Sequence, residues 1–210
     1  MHKIFQQRPY FVILLLSFVF FISACKDQKL KYFGRHEAIA EGDTNYYKIP
    51  NFSFLNQDSA MVDQKALSDY VYVTDFFFTT CPSICPIMAQ QLLIVHEKYK
   101  HDARIKIVSH TLDPAYDTPS ILKQYADNLG IDTKQWMFLW GAKEEIYSIA
   151  EKYYIAAVED EKVPGGINHS GKLVLVDKQG HVRGFYEGTK EYGIQELLDD
   201  IPVLLEEYEN

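Results

Sequence analysis

Val71-Tyr72-Val73-Thr74-Asp75-Phe76-Phe77-Phe78-Thr79-Thr80-Cys81-Pro82-Ser83-Ile84-Cys85-Pro86 is the stretch from which the fold follows. Residues Val71 to Phe78 are mostly β-branched or aromatic and read as a central strand. The cysteine turn then opens an amphipathic segment in which Met88, Leu92, Val95 and Tyr99 recur at helical spacing, so a helix is expected from Pro86 to about Tyr99. With Pro86 in the first turn, both sulfurs would sit at a helix N-terminus, where the macrodipole favours thiolate. On a helix the C-x3-C step gives about 400° of rotation and about 6 Å of rise, so the two sulfurs point the same way. Such a pair suits a disulfide, thiol exchange or two thiolates on one soft metal ion, and the pair alone does not choose among them. A purely structural disulfide would restrain little chain entropy across so short a loop.

Working outward, strand and helix signals alternate. Upstream lies a hairpin around Phe52 to Val62. Downstream come a strand Arg104 to Ser109, a long turn Thr111 to Thr118, a helix Pro119 to Leu129 closed by Gly130, a strand Trp136 to Trp140 and a helix Glu144 to Tyr154. A polar loop Ala157 to Asn168 leads into a hairpin, Gly171 to Asp177 and Val182 to Tyr186, and then a helix Glu191 to Glu207 in which Pro202 is expected to kink or split the run. This order predicts an α/β fold with a mixed sheet flanked by helices and an N-terminal hairpin extension.

Residues 1–8 carry Lys3 and Arg8 and no acid, residues 10–22 are almost wholly apolar, and Ile22-Ser23-Ala24 precedes Cys25. This is the pattern of a lipoprotein signal over residues 1–24, with Cys25 left N-terminal and lipidated. The competing reading is a single spanning helix, but only 17 uncharged residues separate Arg8 from Lys26, short of the roughly 20 a span requires. Residues 25–45 then form the lipidated end and a tether, and residues 46–210 one domain. The expected location is the extracytoplasmic side of a bacterial membrane, with the domain facing the periplasm or its equivalent. Loss of the leader takes the formal charge from -8 to -10. An acidic domain of this kind does not suit nucleic acid. With Cys25 committed to lipid, Cys81 and Cys85 are the only remaining thiols, so all cysteine chemistry converges on one place. In an oxidising compartment a reduced pair needs a reductant or a bound metal.

The ordered set Phe77-Phe78-Thr79-Thr80-Cys81-Pro82-Ser83-Ile84-Cys85-Pro86, Ser109-His110-Thr111-Leu112-Asp113-Pro114 with Asp117-Thr118-Pro119, Trp136 with Leu139-Trp140-Gly141, and His169-Ser170 resembles the Sco (SenC) family from about Tyr47 to Tyr208. These are thioredoxin-fold, membrane-tethered copper proteins that help assemble the CuA centre of cytochrome c oxidase. The resemblance implies a thioredoxin-like fold and copper ligation by Cys81, Cys85 and His169, in both Cu(I) and Cu(II) states. It also implies an acidic outer-shell group at Asp113, and partners that include the CuA-bearing oxidase subunit and a thiol reductant protein. Two thiolates and one imidazole fit that metal by softness. Where the family usually reads Ser-Val-Asp-Pro, this chain has His110-Thr111-Leu112 before Asp113-Pro114, which makes His110 an additional candidate ligand or hydrogen-bond partner.

Asp117 and Thr118 read as turn and helix-cap chemistry, and His36, His96, His101 and His181 as solvent-facing. The leading function is a copper chaperone or assembly factor that delivers copper to the CuA site or keeps its cysteines reduced. The alternative is a thiol-disulfide oxidoreductase in which Cys81 attacks and Cys85 resolves, making them its catalytic pair. Peroxide reduction would require a Thr-x-x-Cys setting, and Phe78 occupies that threonine position.

Overall fold

Strand propensity and the parallel crossovers produce the expected alternation in a computed structural model that describes residues 29–39 and 43–209. The expected leader over residues 1–24 and the expected lipidation site Cys25 lie outside the described residues. Among those described, no helix is long and apolar enough to cross a membrane. The elements are β1 (Glu37–Ile39), β2 (Asp43–Asn45), β3 (Ser53–Asn56), β4 (Met61–Asp63), a 3-10 turn Gln64–Leu67, β5 (Val71–Phe77) and α1 (Ile84–Tyr99). They continue with β6 (Ile105–Thr111), α2 (Pro119–Leu129), β7 (Trp136–Trp140), α3 (Lys143–Lys152), β8 (Ala157–Glu159), β9 (Ile167–His169), β10 (Lys172–Val176), β11 (Val182–Glu187) and α4 (Glu191–Glu206).

Seven strands form one mixed sheet in the order β11-β10-β5-β6-β7-β3-β4. Strands β5, β6 and β7 run parallel, while β10 and β3 join them antiparallel. All of β5 is buried because both its faces are covered. Val71, Val73 and Phe77 pack with Met88, Leu92 and Val95 of α1, Leu122 of α2 and Leu197 and Ile201 of α4. Tyr72 and Phe76 join the opposite core with Phe52, Phe54, Ile146, Ile149 and Tyr153. Each fully buried aliphatic side chain here contributes about 1.5–3 kcal/mol relative to exposure. The thioredoxin-like mixed sheet flanked by helices, with β3–β4 as its N-terminal hairpin, is therefore as expected.

Several local expectations are corrected. Thr118 occupies the N-cap position of α2 with extended backbone, but its hydroxyl meets Ser120 Oγ at 3.0 Å and makes no capping bond. Gly130 closes that helix in the left-handed conformation, at φ 69°. Helix α4 stays continuous through Pro202. The carbonyl that a proline leaves without its helical donor lies four residues back, at Leu198, and Lys98 Nζ donates to it at 3.5 Å. His96 and His181 are buried rather than solvent-facing. His96 sits on the inner face of α1, its Nε2 accepting from the Asp132 N–H at 3.4 Å, and His181 Nδ1 lies 3.2 Å from Asp177.

The segment expected to be a tether is fastened to the domain. Phe33 N–H donates to Val182 O and Ile49 N–H to Gly180 O, both at 2.9 Å. Leu30 N–H donates to Glu207 at 2.8 Å. These bonds hold residues 30–33 along the start of β11 and the end of α4. The polar loop between α3 and β10 likewise contains a two-stranded hairpin, with Ala157 opposite His169.

Asp75, buried in β5, accepts from Ser109 Oγ, which in turn accepts from Trp136 Nε1 at 2.9 Å. Burial pushes the Asp75 carboxyl up to about 7, with the Ser109 bond opposing. The native state then holds a proton that the unfolded chain releases above about pH 4, so stability falls as pH rises from about 4 to 7. Asp75→Asn should remove about 4 kcal/mol of that decline, since each pKa unit corresponds to about 1.4 kcal/mol. Urea unfolding of both proteins between pH 4 and 8 checks this, and parallel pH profiles would contradict it.

Candidate metal centre

The end of β5 delivers the chain into a tight turn in which Cys81 N–H donates to Phe78 O at 3.2 Å. Ser83 then starts α1, placing Cys85 in the first helical turn. On the neighbouring side β9 carries His169 to the same pole of the sheet, just ahead of β10. The ligand atoms of Cys81, Cys85 and His169 all lie within 4.8 Å of one another. Cys85 Sγ is 3.4 Å from His169 Nε2, and both cysteines are free thiols. His169 Nδ1 faces Ser170 O at 3.3 Å, which suits an Nδ1–H donor and leaves Nε2 turned toward the sulfurs. All three residues are buried, at 7%, 3% and 7% exposure.

The two sulfurs differ electrostatically, which corrects the expectation that both gain from the helix N-terminus. At Cys81 burial works against the thiolate, yet bonds from the Cys85 thiol and from the Ser83 and Cys85 N–H groups outweigh it and hold the thiol below its ordinary value. Cys85 points into the core, and burial together with its role as donor to Cys81 pushes its thiol far up. Burial also lowers the His169 imidazole, favouring the neutral ring that ligates metal.

Around this trio, Phe78 meets the His169 ring edge-on at 6.0 Å between centroids. Gly165, at φ 87°, brings the loop between β8 and β9 down onto the cysteine turn. A Cβ there would lie 2.8 Å from the Phe78 ring and 3.1 Å from Pro82, so only glycine permits this approach.

Asp113 is half-buried in the turn after β6, outside the cluster of ligand atoms; its N–H donates to Thr111 Oγ1 at 3.1 Å. His110 is not brought to the site. It projects from β6 into the opposite core, stacked on Phe76 at 4.8 Å with Nδ1 3.2 Å from Thr74 Oγ1, and burial pushes its imidazole down to about 3. Alternation along β6 explains this: Ser109 faces the α1 side and His110 the other.

Asp117, read from sequence as turn chemistry, is a buried support for the site. It accepts from the Thr79 N–H at 3.0 Å, from the Thr79 hydroxyl and from Thr111 Oγ1 at 2.6 Å, tying the approach to Cys81 onto the β6–α2 turn. Its place beside Thr118 and Pro119 carried no sign of this, because its partners lie 38 and 6 residues away.

A family profile described as SCO1/SenC matches residues 40–206. The SCO1 protein homolog of Bacillus subtilis (strain 168) is 30% identical over 183 residues, covering 86% of this chain and 89% of that one. Among solved structures, a SCO1/SenC family lipoprotein from Bacillus anthracis str. Ames superposes with TM-score 0.70 at 27% identity, covering 76% of this chain and 95% of that one. BsSco, described as a member of the Sco family of cytochrome c oxidase assembly proteins with a disulfide switch, gives TM-score 0.68 at 28% identity over 84% of this chain and 98% of its own. Fold, motif order and the converging Cys81, Cys85 and His169 side chains agree with these matches, and the chain belongs to the SCO1/SenC family.

Proposed function

We propose that this protein is a lipid-anchored, extracytoplasmic copper-handling factor that binds copper through Cys81, Cys85 and His169 and passes it to the CuA-bearing subunit of cytochrome c oxidase. The observation that carries this reading is the convergence of two thiol sulfurs and one imidazole nitrogen within 4.8 Å. That donor set is soft enough for Cu(I), and with a fourth position open to solvent or a client it also accommodates Cu(II). The role of BsSco in oxidase assembly supports the client class. The B. anthracis lipoprotein supports an anchor at Cys25, with residues 1–24 as the removed leader and residues 46–210 as the copper-binding domain.

The test is copper stoichiometry and the visible spectrum of the soluble fragment starting near Asp27, prepared reduced and without oxygen. One copper per chain with a thiolate-to-Cu(II) charge-transfer band is expected. His169→Ala should abolish the band and weaken Cu(II) binding at least about 100-fold, since losing a mere outer-shell partner already costs up to that much. Unchanged affinity and spectrum in the variant would sink the three-ligand centre.

The unequal thiols favour one second reading, thiol-disulfide exchange. The Cys81 thiolate would attack a client disulfide, and Cys85 would then displace the client thiol, so that two electrons and two protons pass to the client while an 81–85 disulfide forms. That activity needs no imidazole at position 169. Reductase turnover undiminished in His169→Ala, with no copper retained by the wild type, would select it over copper delivery.

A further inference from the structure

At the pole of the sheet opposite the thiols, Arg183 on β11 is 2% exposed, and each of its three side-chain nitrogens donates to a partner. Nη1 donates to Asp177 at 3.0 Å, and Nη2 to Glu207 at 2.7 Å and to Leu30 O at 2.8 Å. Nε donates to Lys31 O at 3.2 Å. Its guanidinium also lies 4.1 Å from the centroid of the Tyr32 ring. Glu207 accepts the Leu30 N–H as well, so the backbone of residues 30 and 31 is clamped between a strand and the last turn of a helix.

The position of this clamp is fixed by topology. Val176 pairs with Tyr72, so the turn between β10 and β11 lies at the start of β5, whereas Cys81 follows its end. The seven residues of β5 alone separate the two poles by about 20 Å. Leu30 lies five positions after Cys25, and those five steps fully extended span at most about 18 Å. A free chain from residue 25 to 46 would reach about 70 Å. Exposed Lys29 and Lys31 flank the clamp. An anionic lipid surface attracts these two lysines.

We propose that the Arg183 clamp turns the lead-in segment from a leash into a short strap, so that the pole bearing the β10–β11 turn rests on the lipid surface and the Cys81–Cys85–His169 centre points away from it. This rests on the reading of Cys25 as the acylated residue. The client must then present its metal-accepting face tens of ångströms clear of the bilayer, and a face level with the headgroups would be out of reach.

The experiment uses the full chain carrying its own lipid, reconstituted in phosphatidylethanolamine/phosphatidylglycerol vesicles doped with headgroup-spin-labelled lipid. A fluorophore is attached through an encoded azido residue at exposed position 179, in the β10–β11 turn, or at exposed position 161, beside the thiol pole. The expected result is at least about threefold stronger quenching at 179, given the roughly 20 Å offset. A Gly/Ser insertion of about fifteen residues after Lys26 adds roughly 20 Å of flexible reach without touching the fold, and should bring the ratio toward one. Equal quenching in the uninterrupted chain would overturn the orientation, and a ratio that survives the insertion would overturn the strap as its cause. Intact mass separates the two premises: an acylated Cys25 with equal quenching overturns the orientation alone, and an unacylated Cys25 overturns both.

Discussion

The affinity of the Cys81–Cys85–His169 centre for Cu(I) should rise about 100-fold per pH unit on the acid side of the Cys81 pKa and about tenfold per unit above it. Metal binds thiolates, so each thiol that is protonated in the free protein surrenders a proton on binding and contributes a factor of ten per unit. Cys85 is protonated throughout the accessible range, because burial and its bond to Cys81 hold its thiol far above the ordinary value. Cys81 loses its proton below the usual 9, so the break between the two slopes falls below pH 9. His169 adds nothing to either slope near neutrality, since burial keeps its ring neutral. Competition against a chelator of known pH dependence, run in half-unit steps, measures the slope directly. Cys81→Ser should reduce it to about tenfold per unit on both sides of the former break, besides weakening binding at every pH. A flat profile in the wild type would mean that the sulfurs are not the ligands.

The cysteine pair and its strand were legible because their signal is local. A β-branched and aromatic run, a C-x3-C step and an amphipathic helix all fall within 29 residues, Val71 to Tyr99. His169 was legible only through the ordered motifs, since a lone histidine ahead of a strand carries no metal signature, and the polar composition of residues 157–168 hides the hairpin that pairs it with Ala157. What stayed hidden depended on contacts distant in sequence or on the facing of one side chain. His110 was placed near the site by its adjacency to Asp113, but strand alternation sends it to the other core. Asp117 looked like a turn residue and proves to hold Thr79. His96 and His181 looked like surface residues because their partners, Asp132 and Asp177, become neighbours only once the strands and helices are packed. The fastening of residues 30–33 stayed hidden for the same reason. Mixed charge and weak periodicity in residues 26–45 describe any segment without a core of its own, and the arginine that captures this one lies more than 150 residues downstream.

Arg183→Met should destabilise the domain by about 3–5 kcal/mol, the usual consequence of removing one partner from a buried ionic cluster. The methionine fills much of the space, so the loss would be electrostatic: Asp177 and Glu207 remain with their carboxylates facing the vacated position, and the carbonyls of Leu30 and Lys31 lose their donors. Adding Glu207→Gln to Arg183→Met should recover part of the loss by neutralising one of the stranded charges, whereas a cost due to packing alone would not respond. The pH dependence has a definite sign. Burial opposes ionisation of Asp177, but donation from the His181 side chain and N–H outweighs it and holds the carboxyl below its ordinary range. Stability derived from that carboxylate is therefore present above about pH 4 and is lost as pH falls through the depressed native value. The difference between Arg183→Met and wild type should shrink in acid for the same reason, because protonation of Asp177 removes the charge that Arg183 balances. Urea unfolding at pH 7 and at pH 3 measures both effects, and amide exchange at Leu30 and Phe33 reports the strap separately. A loss under about 1 kcal/mol at pH 7, with those two amides still protected, would mean that Arg183 is a bystander to a segment held by β11 alone. Loss of protection at Leu30 and Phe33 under conditions where β5 stays protected would instead identify a strap that opens before the domain does, and would make the standing of the metal centre above the membrane depend on one guanidinium.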